Sequence, residues 1–400
     1  MAANLIFLGT YLVLALGRIP GLRVDRTGAA IIGASLMVAA NVLTLSEAFA
    51  AINMNTIVLL FGMMIMVANL RISGFFGLVS EWVAEHAHHS LTLLAAVAAV
   101  AGVLSAFFVN DTVCLVLAPL VAETTSALRR NPVPYLLAVA MASNIGSVAT
   151  LTGNPQNMLI GSFSGIAYNS FARSLAPVAA VGIVVSIAIL ALLYRGEFRR
   201  AQPVQAEARN IEVDRVLLAK SLGISAAMVV FFVLGWPIAE VAIIGGAVLL
   251  LISRNVHPEQ VYAQVDWPLL MMFAGLFIVV AGAERSPLEQ HLLAAAPQSG
   301  LNNGWVFSAA AAVLSNIVSN VPAVLLFKPL VEHLANPMLG WLRLAMASTL
   351  AGNLTILGSV ANLIVVEKSR PVVVIGFWEY LRAGLPVTLL TLAIGVWWVA

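Results

Sequence analysis

The sequence predicts an all-helical integral membrane protein made of two halves that carry the same polar interruptions. Three observations predict it. Of 400 residues, 61% are apolar and only 10% are charged, with a mean hydropathy of +0.99; average soluble domains are about 25% charged. Apolar runs of membrane-helix length recur along the chain, and they are continuous instead of alternating with period two, which excludes barrel strands. The third observation is a repeat. Residues 103–121 (VLSAFFVNDTVCLVLAPLV) align without a gap to 313–331 (VLSNIVSNVPAVLLFKPLV), with 8 of 19 positions identical. Residues 140–160 and 345–365 share AMAS followed by T-x-x-G-x-x-x-N, namely Thr150, Gly153, Asn157 and Thr355, Gly358, Asn362.

Taken in order, the first half (1–195) gives apolar segments near 4–17, 27–45, 56–72, 91–109, 112–128, 133–160 and 174–194. The first of these lacks a basic leader and a cleavage site, so it reads as a span and not as a removable signal. The stretch 194–215 is hydrophilic, with five arginines and one proline, and 196–215 serves as a linker. The second half (216–400) gives segments near 216–235, 238–253, 267–285, 303–320, 322–336, 340–365 and 372–399, in the same number and order. Residues 74–90 and 286–298 are too short and too polar to span, and they read as interfacial helices. His86 and His89 share a face of the first with Glu85, a solvated face and not a metal site. Cys114 is the single cysteine, which leaves no disulfide framework and no cysteine metal cluster.

Arginine placement sets the expected orientation. Arg18, Arg23, Arg26, Arg129, Arg130, the linker arginines, Arg254, Lys368 and Arg370 fall on one side only if 91–128 is a re-entrant hairpin. The linker is then cytoplasmic and the N-terminus outside. The second hairpin, 303–336, enters from the opposite face. About ten spans and two hairpins result, five spans and one hairpin per half, as an inverted-topology repeat.

Polar residues, Gly and Pro inside such segments persist where broken backbone lines a cavity. The first tip is Asn110-Asp111-Thr112 and the second is Ser319-Asn320-Val321-Pro322. A carboxylate within the bilayer is costly unless paired, hydrated or protonated, so Asp111 is read as a proton carrier or cation ligand. Ser143, Asn144, Gly146, Thr150, Gly153, Asn154 and Asn157 crowd one segment, where Pro155 is expected to break the helix. The corresponding residues in the second half are Asn353, Thr355, Gly358, Ser359 and Asn362. Amides, hydroxyls and freed carbonyls of this kind hold an anion, a neutral hydroxylated solute or Na⁺. Lys328, in the second hairpin, either balances Asp111, attracts an anion, or snorkels. Cys114 is flanked by Val113 and Leu115 and reads as a small core residue.

At these residues the chain resembles the ion transporter superfamily. The arsenite-pump membrane subunit (ArsB-type) and NhaD-type Na⁺/H⁺ antiporters are nearest, with citrate and dicarboxylate carriers further away. The stretch SNIGSVATLTGNPQN, 143–157, carries most of the resemblance. Neither tip reads Ser-Asn-Thr, as dicarboxylate carriers tend to have. The resemblance implies a scaffold subdomain and a moving transport subdomain, often in homodimers, in the inner or plasma membrane. The expected function is H⁺- or Na⁺-coupled secondary transport, not enzymatic, with arsenite or antimonite efflux as the leading substrate and no cofactor. A Na⁺/H⁺ antiporter or an organic- or inorganic-anion carrier is the alternative. From another class comes the membrane channel subunit of an ATP-driven pump with a soluble ATPase partner. The chain itself has no G-x-x-x-x-G-K-[ST] phosphate loop, and no nucleic-acid-binding stretch.

The orientation is testable with single cysteines at Ala206 and Ser299 in a Cys114→Ala background. An impermeant thiol reagent on intact cells should label position 299 and spare 206; the reverse pattern would sink the inverted arrangement.

Overall fold

The computed structural model describes residues 2–17, 24–86, 89–199, 212–254, 256–285 and 300–400, and its elements are helices, with no strand among those residues. The first half contains α1 (Ala2–Leu16), α2 (Arg26–Ala39), α3 (Leu45–Ala51), α4 (Met54–Ile72), α5 (Phe75–His86), α6 (Ser90–Phe107), α7 (Asn110–Ala127), α8 (Pro132–Ser147), α9 (Pro155–Ser164), α10 (Tyr168–Leu193) and the short α11 (Arg195–Phe198). The second contains α12 (Arg215–Val233), α13 (Ile238–Ile252), α14 (Pro258–Tyr262), α15 (Trp267–Glu284), α16 (Gly304–Val318), α17 (Asn320–Glu332), α18 (Pro337–Ala351), a single 3₁₀ turn (Ile356–Gly358), α19 (Val360–Ser369) and α20 (Phe377–Trp398). By length and composition, α4, α6, α10, α12, α15 and α20 are able to cross a membrane. The protein is therefore a multi-pass membrane protein.

The starts of these helices are written in local side chains. Asn53, Asn131, Asn154, Asp214, Asp266, Asn303, Asn336 and Ser359 each accept a hydrogen bond from a backbone N–H of the first turn. In a medium without water, a donor left unmet at a helix start costs several kcal/mol.

Both hairpins form, with a shift at their tips. The first turn is made by Phe108 and Val109, and Asn110, Asp111 and Thr112 already lie in the first turn of α7. The second turn is Ser319 alone, at φ +79°, ψ 160°, a region that disfavours side chains. Pro322 is tolerated because it falls in the first turn of α17, where its missing N–H has no partner to lose. The expected break at Pro155 is also displaced. Pro155 opens α9, and the unwound stretch is 148–154, upstream of it. Residues 75–86 form the expected short helix α5, with Phe76, Val83 and Ala84 buried and Trp82 exposed. The segment 286–298, Arg18, Arg23 and most of the linker lie outside the described residues.

The halves interlock through their second and fourth helices. α2 packs on α15, and α13 packs on α4. Equivalent residues of α4 and α15 are 213 apart: the caps Asn53 and Asp266, then Gly62 and Gly275, Ala68 and Ala281, Arg71 and Glu284. A Cβ on Gly62 would strike the Ala242 backbone of α13, and one on Gly275 the Ala30 backbone of α2. The two glycines thus let helix backbones approach directly at matching crossings. Beside this pair of crossings lie the hairpins and the broken helices, with α6 and α7 on α8, and α16 and α17 on α18. Helix α10 runs against α20. At the base of the first hairpin, Arg130 and Glu197 form a buried ion pair (3.8 Å), and the Tyr135 hydroxyl donates to Glu197 Oε1 at 3.4 Å. On the other side of the molecule, Arg285 pairs with Glu47 at 2.9 Å. With Thr44, it holds that carboxyl down to about 2, so the pair persists through ordinary acid conditions.

The glycine crossings predict a cost. Gly62→Val should lower stability by about 1–3 kcal/mol through overpacking against Ala242. Thermal unfolding in detergent measures it, with Gly223→Val, where the added carbon meets nothing, as a control near zero.

Candidate functional site

The two broken helices cross at their breaks, and the amide of Asn144 sits at the crossing. Asn144 is fully buried near the C-terminal end of α8. Its Oδ1 accepts from Asn110 Nδ2 (3.1 Å) and from Ser359 Oγ (3.1 Å). Its Nδ2 donates to Asn353 Oδ1 (3.0 Å) and Asn362 Oδ1 (2.9 Å). Two acceptor and two donor positions are all that an amide side chain has, and all four are used. One residue of the first half thereby joins the first hairpin tip to three residues of the second half.

Each unwound stretch is held by an equivalent asparagine. Asn157 Nδ2 donates to the carbonyls of Ser147 and Thr150, both at 3.0 Å. Asn362 Nδ2 donates to those of Gly352 (2.6 Å) and Thr355 (2.9 Å). The T-x-x-G-x-x-x-N pattern is thus a device for satisfying carbonyls freed by the break. Its glycines serve close approach. A Cβ on Gly153 would meet the Ser147 and Ser105 carbonyls, and one on Gly358 would meet the Gly352 carbonyl. Gly146 lies against the Gly102 backbone of α6. The Thr150 hydroxyl donates to the Ala106 carbonyl, and the Asn110 N–H to the Gly153 carbonyl at 3.0 Å, so the first tip is tied to the first break. Ser143 donates to the Asn110 carbonyl (3.2 Å) and bonds Ser105 (2.8 Å).

The structure adds residues that the sequence reading left out. Thr349 occupies the position matching Asn144, and it receives Asn154 Nδ2 (3.3 Å) and Gln156 Nε2 (3.0 Å) from the first half. With its NH₂ directed at the Gly358 and Ser348 carbonyls (3.2 Å each), the Asn320 amide turns its oxygen to Gln156 Nε2 at 3.2 Å. Ser315 and Asn316, in the last turn of α16, complete this side; Asn316 donates to the Ala351 carbonyl at 2.8 Å. The signal for Thr349 was the 205-residue offset that pairs it with Asn144. The site is therefore built of amides and hydroxyls, with no charged side chain in the hydrogen-bonded set among the described residues. Within this cluster, the buried amide oxygens of Asn110, Asn157 and Asn316 accept nothing from the protein, as do those of Asn4 and Asn69 outside it. Ser319 is half-buried at its turn, and its side chain is not part of this hydrogen-bonded set.

Asp111 and Thr112 stand outside this set of side-chain bonds, although the Asp111 carboxylate accepts from the Ala361 N–H, between Ser359 and Asn362. They line a cavity of about 80 Å³ with Arg71, Gln264, Asp266 and Leu115. Lys328 is not beside Asp111. It pairs with Glu284 at 3.4 Å, its ammonium lies 5.3 Å from the Phe163 ring centre, and both charges line a separate cavity of about 470 Å³ with Asn53 and Leu325. The expected balance between Asp111 and Lys328 is thus not made. The reason is geometric: Asn53 opens α4 and Arg71 lies in its last turn, yet each lines a different cavity, so a helix of 19 residues separates them. At about 1.5 Å per residue that is some 28 Å. Cys114 is buried in apolar packing, with Sγ 4.0 Å from the Val139 carbonyl, in keeping with a core residue.

Known proteins resemble this chain in fold and in sequence. The Alcanivorax borkumensis YdaH transporter, whose crystal structure revealed an unusual topology, superposes with a TM-score of 0.63 at 16% identity, covering 99% of this chain and 95% of that one. A 46 kDa membrane protein of Mycobacterium leprae is 31% identical over 97% of this chain and 95% of its own length. The silicon efflux transporter LSI3 of Oryza sativa subsp. japonica is 30% identical over 94% of this chain and 93% of its own. Residues 11–351 match the family described as CitMHS, citrate transporter. With the family matched over most of its length and its relatives named as transporters, the chain belongs to the CitMHS citrate transporter family of the ion transporter superfamily.

Proposed function

We propose that the protein is an ion-coupled secondary transporter working by alternating access, and that it exports a small neutral hydroxylated solute, arsenite or antimonite first among them. The observation that carries this is the uncharged cluster with its three unmet amide oxygens on Asn110, Asn157 and Asn316. Acceptors suit a solute that donates hydrogen bonds. Arsenite near neutral pH is largely a trihydroxide, which offers three O–H donors and no charge. A citrate or dicarboxylate ion would present acceptors to acceptors, with no cation in the cluster to balance it. The rice relative is named a silicon efflux transporter, and efflux is the direction proposed here. The same oxygens suit Na⁺ as a coupling ion, and Asp111 at its cavity suits H⁺.

The two halves are read as an inverted repeat, 1–195 and 216–400 about a cytoplasmic linker at 196–215, in the inner membrane. The opposed runs of α4 and α15 between the two cavities support it, since each cavity takes the start of one and the end of the other. Each broken helix, with its hairpin, would expose the cluster to one side in turn.

Everted vesicles with arsenite, Na⁺ and citrate tested side by side separate the readings. Accumulation of arsenite driven by a proton or Na⁺ gradient is expected, and transport of citrate alone would overturn the proposal. In the same assay Asp111→Asn, which keeps shape and removes titration, should abolish gradient-driven accumulation while leaving slow downhill movement. Retention of full coupling would remove Asp111 from the mechanism.

Cysteine chemistry gives an independent test. Cys114→Ser should retain most transport, because the thiol is buried and a serine hydroxyl can keep its polar contacts with the Val139 carbonyl and Ser143. Asn144→Ala should lose nearly all of it, since four hydrogen bonds go at once, each partner left buried. Thiol-dependent efflux with a silent Asn144 would show that the site chemistry is wrong.

A further inference from the structure

The two cavities are equivalents of one another with reversed charges. Leu115 and Leu325, 210 residues apart, line one each; so do Ala68 and Ala281, and Arg71 and Glu284, 213 apart. In both, a hairpin arm (α7 or α17) faces the last turn of a long helix (α4 or α15). In the first cavity the hairpin brings the acid, Asp111, and the long helix the base, Arg71. In the second the hairpin brings the base, Lys328, and the long helix the acid, Glu284. Only the second pair is made, at 3.4 Å. Arg71 is held instead by Gln264, whose Oε1 accepts from Nη1 at 2.6 Å. The remaining charged group lining the first cavity is Asp266, engaged as the cap of α15 through the Leu269 N–H at 3.0 Å.

We infer that these are alternative contacts: Lys328–Glu284 holds one state, and Arg71–Asp111 forms in the other, so Arg71 and Glu284 are positioning residues of the transport cycle. The inference rests on the alternating-access reading above. The physical reason is that both hairpins join the same crossing of broken helices, through Asn110 and Asn320. A displacement that brings α7 towards α4 therefore draws α17 away from α15. An ion pair on each side gives each end state a stabilising contact that the other lacks. Removing one pair then shifts the population towards the state held by the other. In the arrangement seen, Gln264 holds Arg71 and the Arg71–Asp111 contact is open.

The test is cross-linking in nanodiscs without substrate, so it reads the conformational equilibrium whether or not transport is ever observed. Glu284→Cys with Lys328→Cys, in a Cys114→Ala background, reports the second contact. Adding Arg71→Gln should raise the rate of disulfide formation at least about threefold, because the competing contact is lost. Adding Arg71→Lys, which keeps the charge, should leave the rate near the parent's. An unchanged or slower rate with Arg71→Gln, or equal effects of the Gln and Lys variants, overturns the inference. As a second readout where transport is measurable, the exchanged pair Lys328→Glu with Glu284→Lys should recover activity that each single change loses. If vesicle transport fails but the cross-linking shift appears, the substrate reading falls and the exchange of contacts stands.

Discussion

A helix broken inside a membrane frees carbonyls that no water reaches, and the rest of this structure follows from how those carbonyls are met. Asn157 and Asn362 each bind two of them with a single NH₂ group. This satisfies the breaks from within and fixes the distance between each break and the helix that follows. Because both breaks are stabilised in the same way, they can be laid against each other, and Asn144 then joins them with every hydrogen-bonding position it has. With all four of its positions used, Asn144 specifies one geometry for the crossing, since any slippage leaves several amides unpaired at once.

The network is also incomplete in a defined way. Asn362 receives a partner for its oxygen from Asn144, but its equivalent Asn157 does not, because Thr349 stands where a second Asn144 would be. A threonine hydroxyl is shorter than an amide and carries one proton. The halves are alike in backbone and unlike in this one side chain, and the asymmetry leaves acceptor oxygens on the first half facing an uncharged interior. Charge lines the two flanking cavities, where Arg71 and Glu284 lie at matched positions on the long helices, while Asp111 sits at the tip of its hairpin arm and Lys328 further along the other. The charged side chains and the amide cluster thus occupy different parts of the fold.

The scaffold makes this possible through close backbone contact. Gly62 and Gly275 bring α4 against α13 and α15 against α2, so the long helices of one half are clasped by the other. Capping residues at the starts of α4, α8, α12, α15 and α18 keep donors satisfied there. The ends of α4 and α15 are thereby held in place beside the hairpin arms.

By itself the sequence determined the membrane class, the all-helical fold and where polar turns and breaks interrupt the apolar segments. These follow from hydropathy, from Gly, Pro and Asn positions, and from a repeat that survives in the polar residues because they bind backbone. It also marked Asn110, Asn144, Asn157, Asn320, Asn353 and Asn362, which the fold does bring together. Tertiary structure decided what lies across a gap in sequence. Thr349 and Gln156 joined the site because the two breaks cross, and no local pattern distinguishes them from packing residues. Pro155 proved to begin a helix and not to break one, since the preceding residues had already unwound and a helix start has no use for its missing N–H. Lys328 found Glu284, and Asp111 found a cavity with Arg71. Which charges meet depends on the ends of helices some 28 Å long, and that distance is set by packing and not by spacing along the chain.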